Sequence, residues 1–416
     1  MSFYLYKENH LRKLRNVFNG LTTFLTHYAE SDNPENAHVS PIYQNSVFTF
    51  KDTESGAAIA SGAKPGYYYT RLNNPNFNQL AKKLAALEAW DLLRQHPERD
   101  PEEIAGGLVF ASGMAAVTAA ILACVGAGET VLTQAALYDG TFLFLKNLAP
   151  RYGIKVVWVR DNSLEGWEEA FKANPKAKLA YIETPVNPTL RLTDISGVVA
   201  LAHQHGARVA VDNTFATPYC QRPFTMGADI VVHSTTKYLS GHGQVLGGAV
   251  LTTDQALLKG QLYQNFKILG ATPSPFDTWM ANIGLKTFEL RMERHCRNAL
   301  RVANILQGHS AVSQVYYPGL TNHPDYELAR VQMTDFGGMI AFELQGGLEA
   351  GKRMMDHVQI ATLAVSLGNV DTLIQHPASM THVNTPRDKR LAAGISDGLV
   401  RLSVGIEDAE DIVRDL

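Results

Sequence analysis

The chain has 416 residues, 45% hydrophobic and 19% charged, with a formal net charge of -3. That length suits one large domain with at least one smaller one, and so balanced a charge gives no broad positive field for nucleic acid, leaving a small molecule as the expected partner. Only Cys124, Cys220 and Cys296 are present, without CxxC spacing, which argues against a disulfide framework or a structural zinc site and for a reducing compartment.

Residues 1–30 place Leu11, Leu14, Val17, Phe18, Leu21, Phe24 and Leu25 at the spacing of one helical face, an arm that docks on another surface. The arm mixes charges into its apolar positions, so it does not form a signal-peptide core. Glu8 and the scarcity of serine disfavour a cleaved presequence, and no run approaches the ~20 apolar residues of a membrane span. A cytoplasmic protein is expected. Residues 31–76 are rich in Asn, Pro, Gly and aromatics and read as extended loop, ending in GYYYTRLNNP. Helix comes next in NFNQLAKKLAALEAWDLL, and the PERDPEE run reads as a solvated loop.

Between 107 and 252 the stretches GLVFAS, TVLTQ, KVVWVR, KLAYIETP, RVAVDNT, DIVVHS and GGAVLTT read as buried strands. Helix-like segments such as AAVTAAILACVGAG and DISGVVALAHQHG separate them. The alternation predicts a mostly parallel sheet flanked by helices, with ligands gathered beyond the carboxyl ends of the strands. Beyond 255 a long helical region leads to a second α/β portion with GGMIAFEL, ATLAVSLG and GLVRLSVG as strands. The expected division is an arm and inter-subunit segment (1–76), a large α/β domain (77–270) and a C-terminal α/β domain (271–416). No internal repeat is present.

The segments after the predicted strands carry the chemistry. In HSTTKYLSGHG, Lys237 stands just past a buried strand, where burial lowers an amine's pKa and lets it form a Schiff base with a carbonyl. The cofactor that asks for such a lysine is pyridoxal 5'-phosphate (PLP), whose ring nitrogen needs a carboxylate and whose phosphate needs amides and hydroxyls. Asp212 ends the strand RVAVD, Ser234 and Thr236 precede the lysine, and Ser112, Gly113 and Met114 open a helix whose free amides suit a dianion. Each signal alone is weak, since a strand-final Asp is often only a helix cap and a Ser-Gly turn only a turn. Competing motifs fail: the chain lacks a placed GxGxxG, a GxxxxGK[ST], an HExxH, and a GxSxG around Ser112. His203 and His205, two apart on a helix, do not share a face as metal ligands would.

Together YYTRLNNP, ASGMAA, LYDGTF, ETPVNPT, VDNTFATP, HSTTKYLSGH, SLGNVDTL, HPASMTH and GLVRLSVGIED resemble the cysteine and methionine metabolism family of PLP enzymes, from about Pro41 onward. The resemblance implies fold type I, the aspartate aminotransferase-like α/β architecture. It implies Lys237 as Schiff-base lysine and proton shuttle, Asp212 as partner of the ring nitrogen, and Tyr138 stacked on the ring as acid or base. It further implies Ser112, Gly113, Met114, Ser234 and Thr236 around the phosphate, joined by Tyr69 and Arg71 from a neighbouring subunit, and hence a homotetramer built from catalytic dimers. Asn187, Ser366 and Arg401 would position the substrate, Arg401 gripping its α-carboxylate bidentately.

RMERHCRNA and HPASMTH resemble the methionine γ-lyases of the family more than its sulfhydrylases, which implies γ-elimination on a sulfur-containing amino acid. Enzymes of the family that handle cystathionine commonly carry Glu where this chain has Tyr68 and Val365, so an apolar wall awaits the substrate's tail. Against that, methionine γ-lyases typically have Cys where Gly140 stands, and KILGATPSP keeps only Lys267 of their Lys-Asp pair. The alternatives are γ-replacement on O-acetyl- or O-succinylhomoserine, or cystathionine γ-lyase activity.

Overall fold

The computed structural model describes residues 20–30, 33, 35–392 and 394–416. Seven strands form the larger sheet: β1 (Gly106–Phe110), β2 (Thr130–Gln134), β3 (Lys155–Val159), β4 (Leu179–Glu183), β5 (Arg208–Asp212), β6 (Ile230–His233) and β7 (Gly248–Thr252). They run in the order β1-β7-β6-β5-β4-β2-β3, with β7 antiparallel to both neighbours and every other pairing parallel. The central strands read as continuous apolar runs because both faces are covered. Ala210 and Val232 pack beneath the helix Gly113–Cys124, while Val209 and Val211 face the opposite layer with Val198 and Ala202 of the helix Ile195–Gln204. All seven expected strands are present.

The smaller sheet holds β8 (Val312–Tyr316), β9 (Met339–Leu344), β10 (Thr362–Leu363), β11 (Leu373–Gln375) and β12 (Leu399–Ser403) in the order β10-β11-β12-β9-β8. The sequence pointed to β9 and β12 and only the short β10 of ATLAVSLG. β8 and β11 went unread because their apolar alternation is too brief to stand out. The helices Pro275–Leu285 and Phe288–Gln307 connect the two sheets, and the second lies on the smaller one through Ala299, Val302, Ala303 and Leu306.

Two loop expectations are corrected. Thr53–Ala60 is helical, started by Asp52, whose carboxylate accepts from Ser55 N at 2.7 Å. Within the PERDPEE run, Pro101–Ile104 forms one helical turn behind Asp100, which accepts from Glu102 N at 3.1 Å, with Pro at its first position. Of the N-terminal arm, Leu11, Leu14, Val17 and Phe18 lie outside the described residues. The helix Leu21–His27 buries Leu21, Phe24 and Leu25 against its own chain's helices Pro75–Glu88 and Phe288–Gln307. The described part of the arm therefore docks on its own subunit. Among the described residues no helix is long and apolar enough to cross a membrane.

Candidate active site

β4, β5 and β6 end side by side, so the loops beyond them converge. Glu183 is the ladder partner of Asp212, and Asp212 that of Val232. Asp212 is half-buried, and its desolvation pushes the carboxyl up, an effect opposed by hydrogen bonds from Thr214. Thr214 N donates to Asp212 Oδ1 at 3.0 Å, and the Thr214 hydroxyl oxygen accepts from Ser234 N at 2.9 Å. One threonine thus joins the carboxylate to the turn that carries the lysine. Tyr181 Oη donates to Asp212 Oδ2 at 3.4 Å.

Lys237 sits on a turn closed by Lys237 N to Ser234 O at 3.2 Å. Burial lowers its amine to about 8, helped by the nearby Arg401 cation. Lys237 Nζ donates to Ser366 Oγ at 2.6 Å. Ser366 has φ of 85°, left-handed backbone that a residue with a Cβ seldom adopts, and its surroundings fix it there: the carbonyl oxygen accepts from Arg401 Nη2 at 2.5 Å. Arg401 Nη1 donates to Asn187 Oδ1 at 3.0 Å. Arg401 sits on β12 at 7% exposure, where burial lowers its guanidinium to about 10. Lys237, Ser366, Asn187 and Arg401, spread over 214 residues, form one connected group across both sheets.

The helix Gly113–Cys124 starts at Ser112, whose hydroxyl accepts from Ala115 N at 3.1 Å. Its first residue must be glycine: a Cβ on Gly113 would lie 2.8 Å from Ser234 Cβ and 2.9 Å from Ser234 Oγ. The helix start and Ser234 are therefore pressed together. Thr236 Oγ1 accepts from Gly247 N at 3.0 Å. Tyr138 is 52% exposed, with its backbone N–H held by Glu183 Oε2 at 2.6 Å. Tyr69 and Arg71 stand apart from this group. Arg71 lies 5.4 Å over the Tyr69 ring and donates to Lys267 O.

Residues 22–416 match the Cys/Met metabolism PLP-dependent enzyme family. The chain belongs to this family. It is 46% identical to the L-methionine gamma-lyase of Porphyromonas gingivalis, covering 95% of this chain and 96% of that protein. It is 44% identical to the L-methionine gamma-lyase of Fusobacterium nucleatum subsp. nucleatum, covering 95% and 97%. Among solved structures, cystathionine gamma synthase from Xanthomonas oryzae pv. oryzae superposes with a TM-score of 0.86 at 39% identity, over 95% of this chain and 96% of that one. The mixed seven-stranded sheet with a smaller sheet beside it is the family's fold type I architecture, and the enzyme is PLP-dependent.

The residues of this chain fit that cofactor. A half-buried lysine whose amine is lowered to about 8 suits an aldehyde, and a half-buried carboxylate penalised by desolvation is relieved by a protonated ring nitrogen. The free backbone amides at the start of the 12-residue helix Gly113–Cys124, packed against Ser234, suit a phosphate dianion.

Sequence reasoning missed Glu183, Tyr181 and Thr214, although ETPVNP and VDNT are among the motifs that carry the resemblance; strand-final polar residues beside Asp212 were the available signal. RMERHCRNA also finds its place. Arg291 Nη1 donates to Tyr238 O at 2.7 Å, just past Lys237. His295 Nδ1 lies 2.7 Å from Val404 O, and Asn298 Nδ2 donates to Gly405 O at 3.0 Å, just past Arg401. One helix face thus steadies the chain after both cationic site residues. His203 pairs instead with Asp229 at 3.0 Å and His205 stacks on Phe171. The described residues hold no cluster that suits a metal.

Proposed function

We propose that this enzyme catalyses γ-elimination on L-methionine, in which methionine and water give 2-oxobutanoate, ammonia and methanethiol. The observation that carries the proposal is its likeness, over 95% of the chain, to two L-methionine gamma-lyases. The candidate site supports it. Arg401, its fork aimed by Asn187 and the Ser366 carbonyl, would take the α-carboxylate in a bidentate pair. Ser366 Oγ would fix the lysine amine beside the substrate's α-carbon.

PLP would be held by Lys237, Asp212, Ser112, Gly113, Met114, Ser234 and Thr236, and when bound supplies an electron sink for negative charge at the α-carbon. Lys237 Nζ would remove the α-proton and return it, since an amine near neutrality serves as both base and acid at working pH. Asp212 would keep the ring nitrogen protonated. Tyr138 would close over the ring and protonate the departing sulfur. Half its surface is uncovered in the single chain, leaving room for a ligand to stack.

Tyr68 and Val365, 44% and 57% exposed, carry no carboxylate where cystathionine-handling members of the family commonly have Glu, which supports a short apolar tail. A second reading, γ-replacement on an acylated homoserine, is favoured by Gly140 and by the likeness to cystathionine gamma synthase. We further propose that the enzyme is a cytoplasmic homotetramer of catalytic dimers in which Tyr69 and Arg71 serve the neighbouring subunit's site. On incubating holoenzyme with L-methionine, 2-oxobutanoate and methanethiol are expected in equal amounts. Lys237→Ala abolishes both together with the visible absorbance of the bound cofactor, and a variant retaining both would overturn the assignment of Lys237.

A further inference from the structure

Behind the candidate site, on the face of the larger sheet opposite Val232, lies a buried polar group that the proposed chemistry does not use. Glu88 ends the helix Pro75–Glu88 and is fully buried, and His233, the last residue of β6, is 1% exposed. Glu88 Oε1 lies 2.5 Å from His233 Nε2 and accepts from Asn213 Nδ2 at 2.8 Å. Asn213 is locked further: its Nδ2 donates to Gln221 O at 2.8 Å and its Oδ1 accepts from Gln221 Nε2 at 3.0 Å. Glu88 Oε2 and His233 Nδ1 are buried without a hydrogen-bond partner among the described residues.

A device for stability alone is poorly served by such a group, because a buried ionisable pair that leaves two polar atoms unsatisfied is no better than an apolar pair of the same size. What the group does control is position. Asn213 directly follows Asp212, and His233 directly precedes Ser234. Thr214 closes the loop on the other side of the backbone by binding both Asp212 Oδ1 and Ser234 N. One carboxylate oxygen thereby sets the ends of β5 and β6 against each other. Those ends carry the candidate partner of the ring nitrogen and the start of the phosphate cradle. We propose that Glu88 is a positioning residue of the cofactor site, acting through Asn213 and His233 from the far face of the sheet. This role rests on the cofactor site proposed above.

Titration of apoenzyme with PLP, monitored by the visible absorbance of the bound cofactor and paired with a melting curve, tests it. Glu88→Ala is expected to weaken PLP binding by about tenfold or more, the size of leaving buried donors without their acceptor, at temperatures well below its melting midpoint. Glu88→Gln keeps an oxygen acceptor for both donors and is expected to bind PLP within about threefold of wild type. A lowered melting midpoint with unchanged PLP affinity in Glu88→Ala would overturn the proposal and leave Glu88 a packing residue, as would a Glu88→Gln variant no better than Glu88→Ala. Should Glu88→Ala fail to fold, His233→Leu carries the same test with the same expected loss. Asp212→Asn and Ser234→Ala are the controls: if these leave affinity unchanged the cofactor site itself is misassigned, and if they weaken it while the Glu88 variants do not, only the positioning role falls.

Discussion

At the scale of single residues, Lys237 and Gly140 separate what burial decides from what neighbours decide. The Lys237 amine sits near 8 chiefly because it is buried. An ordinary lysine would be protonated until about pH 10.4, so the free amine needed for cofactor uptake is available here about two pH units sooner. Apoenzyme mixed with PLP should therefore gain visible absorbance at a rate that rises with pH and is half-maximal near 8. A rate still climbing steeply above about pH 10 would mean the amine is not desolvated in solution. At Gly140 a Cβ would lie 2.8 Å from Met114 Sδ and 2.8 Å from Tyr138 Cε1, so a side chain there requires those two flexible side chains to shift.

At the scale of elements, the parallel sheet was legible because buried strands read as unbroken apolar runs, and Lys237 and Asp212 as candidates because each sits at the end of such a strand, whereas Arg401 was named only through the family resemblance. The convergence of Asn187, Ser366 and Arg401 was not legible from spacing. Their partners lie far off in sequence and meet only once the two sheets pack. The short helices at 53–60 and 101–104 were hidden for a different reason: one Asp cap decides each, against a background of turn-forming residues. The segment before the first family motif is also pinned by charge. Glu30 binds Lys83 Nζ and accepts from Lys286 Nζ at 3.0 Å and Asn282 Nδ2 at 3.1 Å, while Lys83 also donates to Leu25 O at 2.8 Å. Lys83 is fully buried. Glu30→Ala strands that ammonium and should cost about 3 kcal/mol in chemical denaturation; a change below about 1 kcal/mol would mean water reaches Lys83 when its partner is removed.

At the scale of the whole molecule, the proposal that Tyr69 and Arg71 complete a neighbouring subunit's site makes a prediction that no single chain can satisfy. Lys237→Ala and Arg71→Ala should each be nearly inactive. Mixed in equal amounts and allowed to exchange subunits, half of the dimers are hybrid and each hybrid holds one intact site, so about one quarter of wild-type activity should return. No recovery, with exchange verified, would place Arg71 in its own subunit's site or outside any site. Which group leaves the γ-carbon, and whether a thiol takes its place, sets the reaction. Holoenzyme incubated separately with L-methionine, cystathionine, O-acetylhomoserine and O-succinylhomoserine, each with and without sulfide or cysteine, tests it by the ratio of 2-oxobutanoate to new thiol or thioether. Methionine is expected to yield 2-oxobutanoate and methanethiol without any added thiol. Consumption of an acylated homoserine only in the presence of sulfide or cysteine, with no oxo acid formed, would contradict it.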